Sequence, residues 1–198
     1  MRAGNDPAGR GARAHDPIED RRATVKWVFV GAGGVLGIGI LLYVSGLFLP
    51  QAHVASSSVL IRQPVDSVWR VVRTFDEYDT WWPEVSSVER LPDRDGQEVW
   101  TLRQRTGELP MQVIESTAAE RLVTRIADDN LPFGGTWTYE LWEQYGGTLV
   151  TVTEDGEIYN PFFRVMSKLI FGYHRTQESY LSALAQKFGE AVVVERLR

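Results

Sequence analysis

Three side chains in the last third of the chain have types that could move protons, namely His174, Glu154 and Tyr139. Imidazole exchanges protons near neutral pH, which makes His174 a candidate general acid or base. The alternative is a hydrogen-bonded or surface histidine, because no carboxylate lies beside it in sequence to orient it. His15 and His53 lie in the N-terminal tail and at the start of the folded part, and the histidine spacing matches no metal site. We therefore expect neither a metal nor a cofactor.

Alternation of apolar and polar residues assigns faces to two late strands. In the strand predicted over 136–143, Trp137 and Tyr139 share a large apolar face, which should point inward. In the next strand Glu154 follows two valines on the inward face. It is expected either to anchor a ligand in an apolar pocket or to be solvated or paired with an arginine such as Arg125.

A long helix, predicted over 160–188, would position His174. Apolar residues recur there at helical spacing, and Asn160 suits the N-cap. The half from Phe162 to His174 is apolar on more than one stripe, which exceeds what one sheet face buries. Either strands and loops cover the excess, or it meets a membrane or a partner. Met166 and Ile170, in this half, are predicted to line a ligand site.

The segment from 53 to 159 reads as short strands separated by turn signals such as Asp95-Gly96 and Gly146-Gly147. Two short helices follow the first strand. This order predicts an α+β domain in which a curved antiparallel sheet of about six to seven strands wraps around the C-terminal helix. We assign residues 51–190 to this domain and 191–198 to a short C-terminal tail.

An uncharged apolar run covers residues 28–49 and spans about 33 Å as a helix. Basic residues precede it, so a transmembrane helix within 25–50 is predicted, with the N-terminus in the cytoplasm and the domain on the extracytoplasmic side of the cell membrane. A cleaved signal peptide is the alternative, although the run is longer than a typical signal core. Residues 1–24 are small, polar and charged, which is typical of a disordered tail.

Charge and cysteine content exclude several classes of function. From Gln51 onward the chain has 15 Lys and Arg residues against 22 Asp and Glu residues, a net charge of about −7. This balance disfavours nucleic acid as a partner. The chain has no cysteine, which excludes thiol catalysis and cysteine-ligated metals.

Three stretches carry a resemblance to a known superfamily. They read IRQPVDSVWRVVRTFDEYDTWWPEV, NLPFGGTWTYEL and TVTEDGEIYNPFFRVMSKLIFGYHRTQESYLSAL. With the order of elements, they resemble the START-like superfamily that includes Bet v 1 and the polyketide cyclase and dehydrase relatives, over about residues 53–188. The resemblance implies a helix-grip fold, with an apolar cavity between sheet and helix for a lipid, sterol, polyketide or similar ligand.

Within that fold, two aromatic features border the implied cavity. Trp81 and Trp82 lie at its mouth, with ordinary core packing as the alternative, and Phe133 is expected at an exposed loop tip, as a lid or a bilayer contact. The complete predicted ligand-binding set is Trp81, Trp82, Phe133, Trp137, Tyr139, Glu154, Met166, Ile170 and His174.

Three classes of function remain. The first is a membrane-anchored protein that holds a hydrophobic small molecule or lipid. The second is a polyketide cyclase or dehydrase type of enzyme, in which His174, Glu154 or Tyr139 moves protons. The third is an envelope interaction module without a ligand. Binding is favoured, because no cluster of nucleophile, base and orienting group can be assembled from the sequence.

Overall fold

A computed structural model describes residues 17–197, and within them every side chain except those of residues 17–26, 29, 170 and 171. Most of the predicted polar tail, residues 1–16, thus lies outside the described residues. The chain divides into two compact units between Leu41 and Leu42, and each unit is described by itself.

Helix α1 runs from Pro17 to Leu47, so it includes residues 17–24 of the predicted tail. Its stretch Val30–Leu47 has 18 residues with a mean hydropathy of 1.9, which is long and apolar enough to cross a membrane. A signal sequence near an N-terminus meets the same criterion. The side chains along this stretch are mostly exposed. Exposed apolar side chains of this kind are what a lipid environment accepts.

The second unit consists of the end of α1, a sheet and four short helices. Its strands are β1 (Ala52–Ile61), β2 (Val85–Arg94), β3 (Gln97–Gln104), β4 (Gly107–Thr117), β5 (Arg121–Ile126), β6 (Phe133–Gln144), β7 (Gly147–Ile158) and β8 (Glu195–Leu197). Its α-helices are α2 (Val65–Arg73), α3 (Tyr78–Trp81), α4 (Pro161–Met166) and α5 (Arg175–Lys187), with a 3₁₀ turn at Phe75–Glu77 and a π-helical turn at Ser167–Phe171.

All eight strands form one curved antiparallel sheet in the order β2-β3-β4-β5-β6-β7-β1-β8, and the predicted α+β helix-grip architecture is confirmed. The sheet has one strand more than the predicted upper number. The additional strand, β8, lies in the segment that we assigned to a short tail, and it pairs with β1 at Ser56, Ser57 and Ser58.

The core lies between the inner face of the sheet and α5. Tyr180, Leu181 and Leu184 of α5 are fully buried against the strands. Helix α2 adds Val68 and Val72, whose spacing of four residues places them on one helical face.

The prediction of one continuous helix over 160–188 is wrong. The Asn160 side chain caps α4 by accepting a bond from Phe162 N at 2.9 Å, as expected. The chain then widens into the π-helical turn, which ends where Gly172 N donates to Ser167 O at 2.8 Å. Gly172 has φ of +72°, a left-handed conformation that ends a helix and that glycine adopts without strain.

Candidate functional site

Strands β1 and β7 bring His53 and Glu154 together on the inner face of the sheet. In their register Ala55 is opposite Glu154, and His53 is opposite Gly156. Nε2 of His53 lies 3.3 Å from Oε1 of Glu154, and the two side chains are 11% and 23% exposed. The carboxylate therefore faces inward, as alternation predicted, but its partner is a histidine.

The alternative pairing of Glu154 with Arg125 is wrong. Arg125 Nη2 donates to Oε1 of Gln112 at 2.8 Å, in the β4–β5 pair where these two residues are opposite each other. Their neighbours Val113 and Thr124 point into the core, so this bond lies on the outer face.

Tyr173 and Gly156 both lie close to the ring of His53. Tyr173 stacks on it, with ring centroids 4.1 Å apart and an interplanar angle of 22°. On the strand beside it, Gly156 provides the necessary space, because a Cβ there would lie 2.5 Å from Cε1 of His53 and 2.9 Å from Oε1 of Glu154. These two neighbours thus hold the imidazole in place.

The start of α5 adds two polar side chains next to this pair. Gln177 Nε2 donates to the Ala55 carbonyl at 2.8 Å, which ties α5 to β1. Nδ1 of His174 lies 3.2 Å from Oγ of Ser57. His174 is therefore a half-buried residue whose partner is the Ser57 hydroxyl. The carboxylate of the site, Glu154, pairs with His53 instead.

Three buried polar atoms have no hydrogen-bond partner among the described residues: His53 Nδ1, Gln177 Oε1 and Trp81 Nε1. Leaving such an atom unpaired costs about 1–3 kcal/mol. If His53 Nε2–H donates to Glu154, then Nδ1 is an acceptor, as is Gln177 Oε1, whereas Trp81 Nε1–H is a donor. A hydroxyl group, which both donates and accepts, can pair with atoms of either kind.

An aromatic cluster occupies the space between the sheet and α5, with Tyr180 at its centre. The rings around Tyr180 are those of Tyr78, Trp81, Trp82, Trp137 and Tyr139, at centroid distances of 5.1–6.2 Å. Burial raises the pKa of Tyr78, Tyr139 and Tyr180 well above the ordinary value, so these phenols stay neutral at physiological pH. Tyr139 is therefore a packing residue of the aromatic cluster rather than a base.

The predicted site residues fall into three groups. Trp81, Trp82, Trp137 and Tyr139 meet around Tyr180, whereas Glu154 and His174 lie at the adjoining polar end. The remaining members lie apart: Phe133 is partly exposed, Met166 is half-buried in α4, and the Ile170 side chain is outside the described residues. Phe133 begins β6 opposite Ile158 instead of lying at a loop tip.

Sequence reasoning missed His53, Ser57, Gln177 and Tyr173. We placed His53 only at the start of the folded part, and we treated His174 as the candidate general acid or base. The available signal was the alternation in β1, where His53, Ala55 and Ser57 share one face. The stacking of Tyr173 depends on the break at Gly172, which the periodic pattern does not reveal.

A separate groove of about 730 Å³ lies on the outer side of the sheet. The C-terminal segment forms one wall, including Val192, Val193 and Leu197, and Leu60 and Leu149 form the other. Both oxygens of the Glu190 carboxylate accept from Arg62 N, at 3.0 and 3.1 Å, and close one end of this segment onto the sheet. Among the residues that the structure describes, no three His, Asp or Glu side chains gather as a metal site requires.

The fold and the inner polar site define a helix-grip protein of the START-like class. Residues 52–189 match the family described as polyketide cyclase / dehydrase and lipid transport, and the chain belongs to this family. No curated protein matches the sequence.

Solved structures share the fold at low sequence identity. A START superfamily protein from Mycobacterium smegmatis is 18% identical with a TM-score of 0.54, over 68% of this chain and 96% of that one. The ZhuI aromatase/cyclase from Streptomyces sp. R1128 is 14% identical with a TM-score of 0.57, over 69% and 93%. Norcoclaurine synthase from Thalictrum flavum is 11% identical with a TM-score of 0.56, over 70% and 94%.

Proposed function

We propose that this protein is a membrane-anchored binding protein that holds a hydrophobic small molecule or lipid between the sheet and α5. The observation that carries the proposal is the set of three buried polar atoms that have no partner among the described residues and lie beside an aromatic interior. Ligand sites are typically apolar with a few convergent polar groups that fix orientation. A ligand with an apolar body and a hydroxyl or similar group satisfies both features.

The proposed ligand orientation follows from the order of residues along α5. Gln177 is bonded to β1 at Ala55, and Tyr180 lies about one helical turn further on. The polar group of the ligand would thus meet His53 and Gln177, while its apolar body lies against Trp137 and Tyr180. Because the aromatic rings pack closely, with centroids 5.1 and 6.2 Å from Tyr180, binding requires some of them to move.

Helix α1 supports the membrane part of the proposal. Its apolar stretch leads into β1 within a few residues, so an embedded α1 would hold the domain close to the bilayer. We propose that α1 stays attached as a single-pass anchor with the domain on the extracytoplasmic side.

Ligand extraction from the purified full chain tests the binding function. We expect mass spectrometry of an organic extract to show a bound amphiphile, and we expect the polyene fatty acid cis-parinaric acid to accept energy from the interior tryptophans. His53→Leu should weaken this transfer severalfold, whereas Glu157→Gln, an exposed change on the neighbouring strand β7, should not. Empty protein in every preparation, together with no transfer to the probe, would overturn the proposal.

A second candidate function, proton transfer in a cyclisation, is favoured by the His53–Glu154 pair. A carboxylate that orients an imidazole is the arrangement of a general base. Nδ1 of His53 would take a proton from a carbon between two carbonyl groups. The resulting carbanion would then form a C–C bond with a further carbonyl carbon, and the alkoxide so formed would take the proton back from His53.

A synthetic poly-β-keto thioester tests this second candidate. Cyclised product should form with the wild-type chain, and His53→Gln should lower the rate by about 10²–10⁴. Arg125→Gln, on the outer face, serves as the control. If product forms equally fast with His53→Gln, the catalytic role of the pair is excluded while the binding function stands.

A further inference from the structure

The last turn of α1 touches the first residue of α4. A Cβ added to Gly46 would lie 1.9 Å from the Pro161 carbonyl oxygen, so only glycine permits this approach. The Arg164 Nη1 donates to the Gly46 carbonyl at 3.4 Å. Gly46 belongs to the apolar stretch of α1. Its contacts Pro161 and Arg164 therefore lie level with the end of that stretch.

Arg164 ties three chain segments together at this point. Its Nε donates to the Ile158 carbonyl at 2.7 Å, and its Nη2 donates to the Tyr159 carbonyl at 3.0 Å and to Oε1 of Gln51 at 3.3 Å. Ile158 N in turn donates to the Gln51 carbonyl at 2.9 Å. The end of α1, the end of β7 and the start of α4 thus form one connected structure.

Exposed apolar side chains surround this connection. Phe48, Phe133, Tyr159 and Phe163 are between 40% and 84% exposed, and we call these four residues the exit surface. Phe133 is opposite Ile158 in the sheet, Tyr159 N is bonded to Pro132 O, and Phe163 precedes Arg164. All four are therefore held close to the point where the chain leaves α1.

We propose that the exit surface lies in the interface of the same bilayer that holds α1, as a second membrane contact of the domain. This inference rests on the proposed anchoring by α1. The partner is a lipid surface because Gly46, within the apolar stretch, places Pro161 and Phe163 at interface depth. Aromatic side chains favour that depth, and an arginine beside them places its charged group in the headgroup layer.

The contact is apolar rather than electrostatic. Desolvation raises the pKa of the Tyr159 phenol, and the nearby carboxylates of Glu157 and Asp129 raise it further, so the surface carries acidic as well as basic groups. Attraction to anionic lipids falls with ionic strength, whereas burial of aromatic rings does not. The geometry therefore predicts binding to neutral phosphatidylcholine that persists at high salt.

Single-cysteine labelling tests the proposal cleanly, because the chain has no cysteine of its own. The full chain would be reconstituted in phosphatidylcholine vesicles with an environment-sensitive fluorophore at Phe163→Cys, and spin-labelled phosphatidylcholine would be the quencher. Tyr145→Cys is the matched control, since Tyr145 is 88% exposed at the β6–β7 turn. It lies at the other end of β6, about 40 Å along the strand from Phe133. Ile40→Cys reports on α1.

The inference requires strong quenching at Phe163→Cys, severalfold above that at Tyr145→Cys, and unchanged in high salt. Quenching at Ile40→Cys without quenching at Phe163→Cys would overturn the inference and leave the anchor intact. No quenching at Ile40→Cys would overturn the anchor itself. Loss of the Phe163→Cys signal on dilution of the protein within the vesicles would show a second copy on this surface, and would also overturn the inference.

Discussion

Nε2 of His53 in β1 lies 3.3 Å from Oε1 of Glu154 in β7, inside the sheet that wraps α5. An imidazole beside a carboxylate can donate one N–H to it and keep the other nitrogen as an acceptor. Here that second nitrogen is buried, and it has no partner in the part of the chain that the structure describes. In this pair the Glu154 carboxylate orients the His53 imidazole. The sequence by itself showed no such orienting partner for His174 or for Glu154.

Gly156→Ala should break this pair. The added methyl would lie 2.7 Å from Nε2 of His53 and 2.9 Å from Oε1 of Glu154, so one of the two side chains must shift. We expect a loss of about 1–3 kcal/mol in the free energy of unfolding, together with weaker transfer to cis-parinaric acid. Chemical denaturation and the fluorescence assay measure the two effects.

Gly147→Ala is the matched control for that substitution. It lies at the other end of β7, where a Cβ would meet the Ile61 carbonyl oxygen at 2.4 Å. It should destabilise the fold similarly and leave transfer to the bound probe unchanged once the protein is folded. Equal loss of transfer in both variants would show that Gly156 acts through stability alone.

The sheet was predictable because alternation is a local signal. Trp137 and Tyr139 occur on the inner face as expected, and so does Glu154. The partner of Glu154 was not predictable in the same way, because it depends on which strand lies beside β7. That strand is β1, from the far end of the domain sequence, and hydrophobic periodicity carries no information on such long-range neighbours.

The C-terminal helix shows the opposite limitation. Its apolar spacing continues across Gly172, so the pattern predicts one helix, but the φ of +72° at Gly172 ends it. The break places Tyr173 over His53. A glycine is only a weak local indication of a break, and its effect on the site was visible only in three dimensions.

The buried tyrosines make the fold sensitive to alkali. Burial raises the folded-state pKa of Tyr78, Tyr139 and Tyr180 above the ordinary value near 10.0. Their contribution to stability is therefore complete below about pH 10 and is lost as the pH rises further. We expect tyrosinate absorbance from these three residues to appear together with the loss of near-ultraviolet circular dichroism.

Tyr180→Phe tests the assignment of that alkaline step. The variant keeps the central ring and should show a smaller absorbance change in the cooperative step. Gradual ionisation of all the tyrosines, with native circular dichroism retained, would contradict the proposed burial of the cluster.

Glu98 should make the protein less stable in acid. Arg73 Nη2 donates to its Oε1 at 2.7 Å, and this bond lowers the folded-state pKa of Glu98 below the ordinary 4.5. The stabilisation is present above that ordinary value and is lost as the pH falls through the folded-state pKa. Glu98→Gln should therefore lose less stability between neutral and acidic pH than the wild type, as measured by urea unfolding.

Glu108→Gln provides the comparison for Glu98→Gln. Glu108 pairs with Arg103 at 2.6 Å, but both side chains are more than half exposed. Such surface pairs contribute about 0–1 kcal/mol, so its acid dependence should match that of the wild type. A Glu98→Gln variant that behaves like Glu108→Gln would show that the Arg73–Glu98 contact is not formed in solution.

Gly46→Val should separate the end of α1 from α4. The nearest Pro161 atom would be 1.9 Å from the new Cβ, and backbone cannot move aside as a flexible side chain can. Gly39→Val adds the same side chain where a Cβ meets nothing within 4 Å among the described residues. Because the free energy of local opening depends on such contacts, amide hydrogen exchange over Asn160–Arg164 should accelerate in Gly46→Val only. Equal protection in the two variants would mean that α4 is held by Arg164 and the sheet, without the close contact at Gly46.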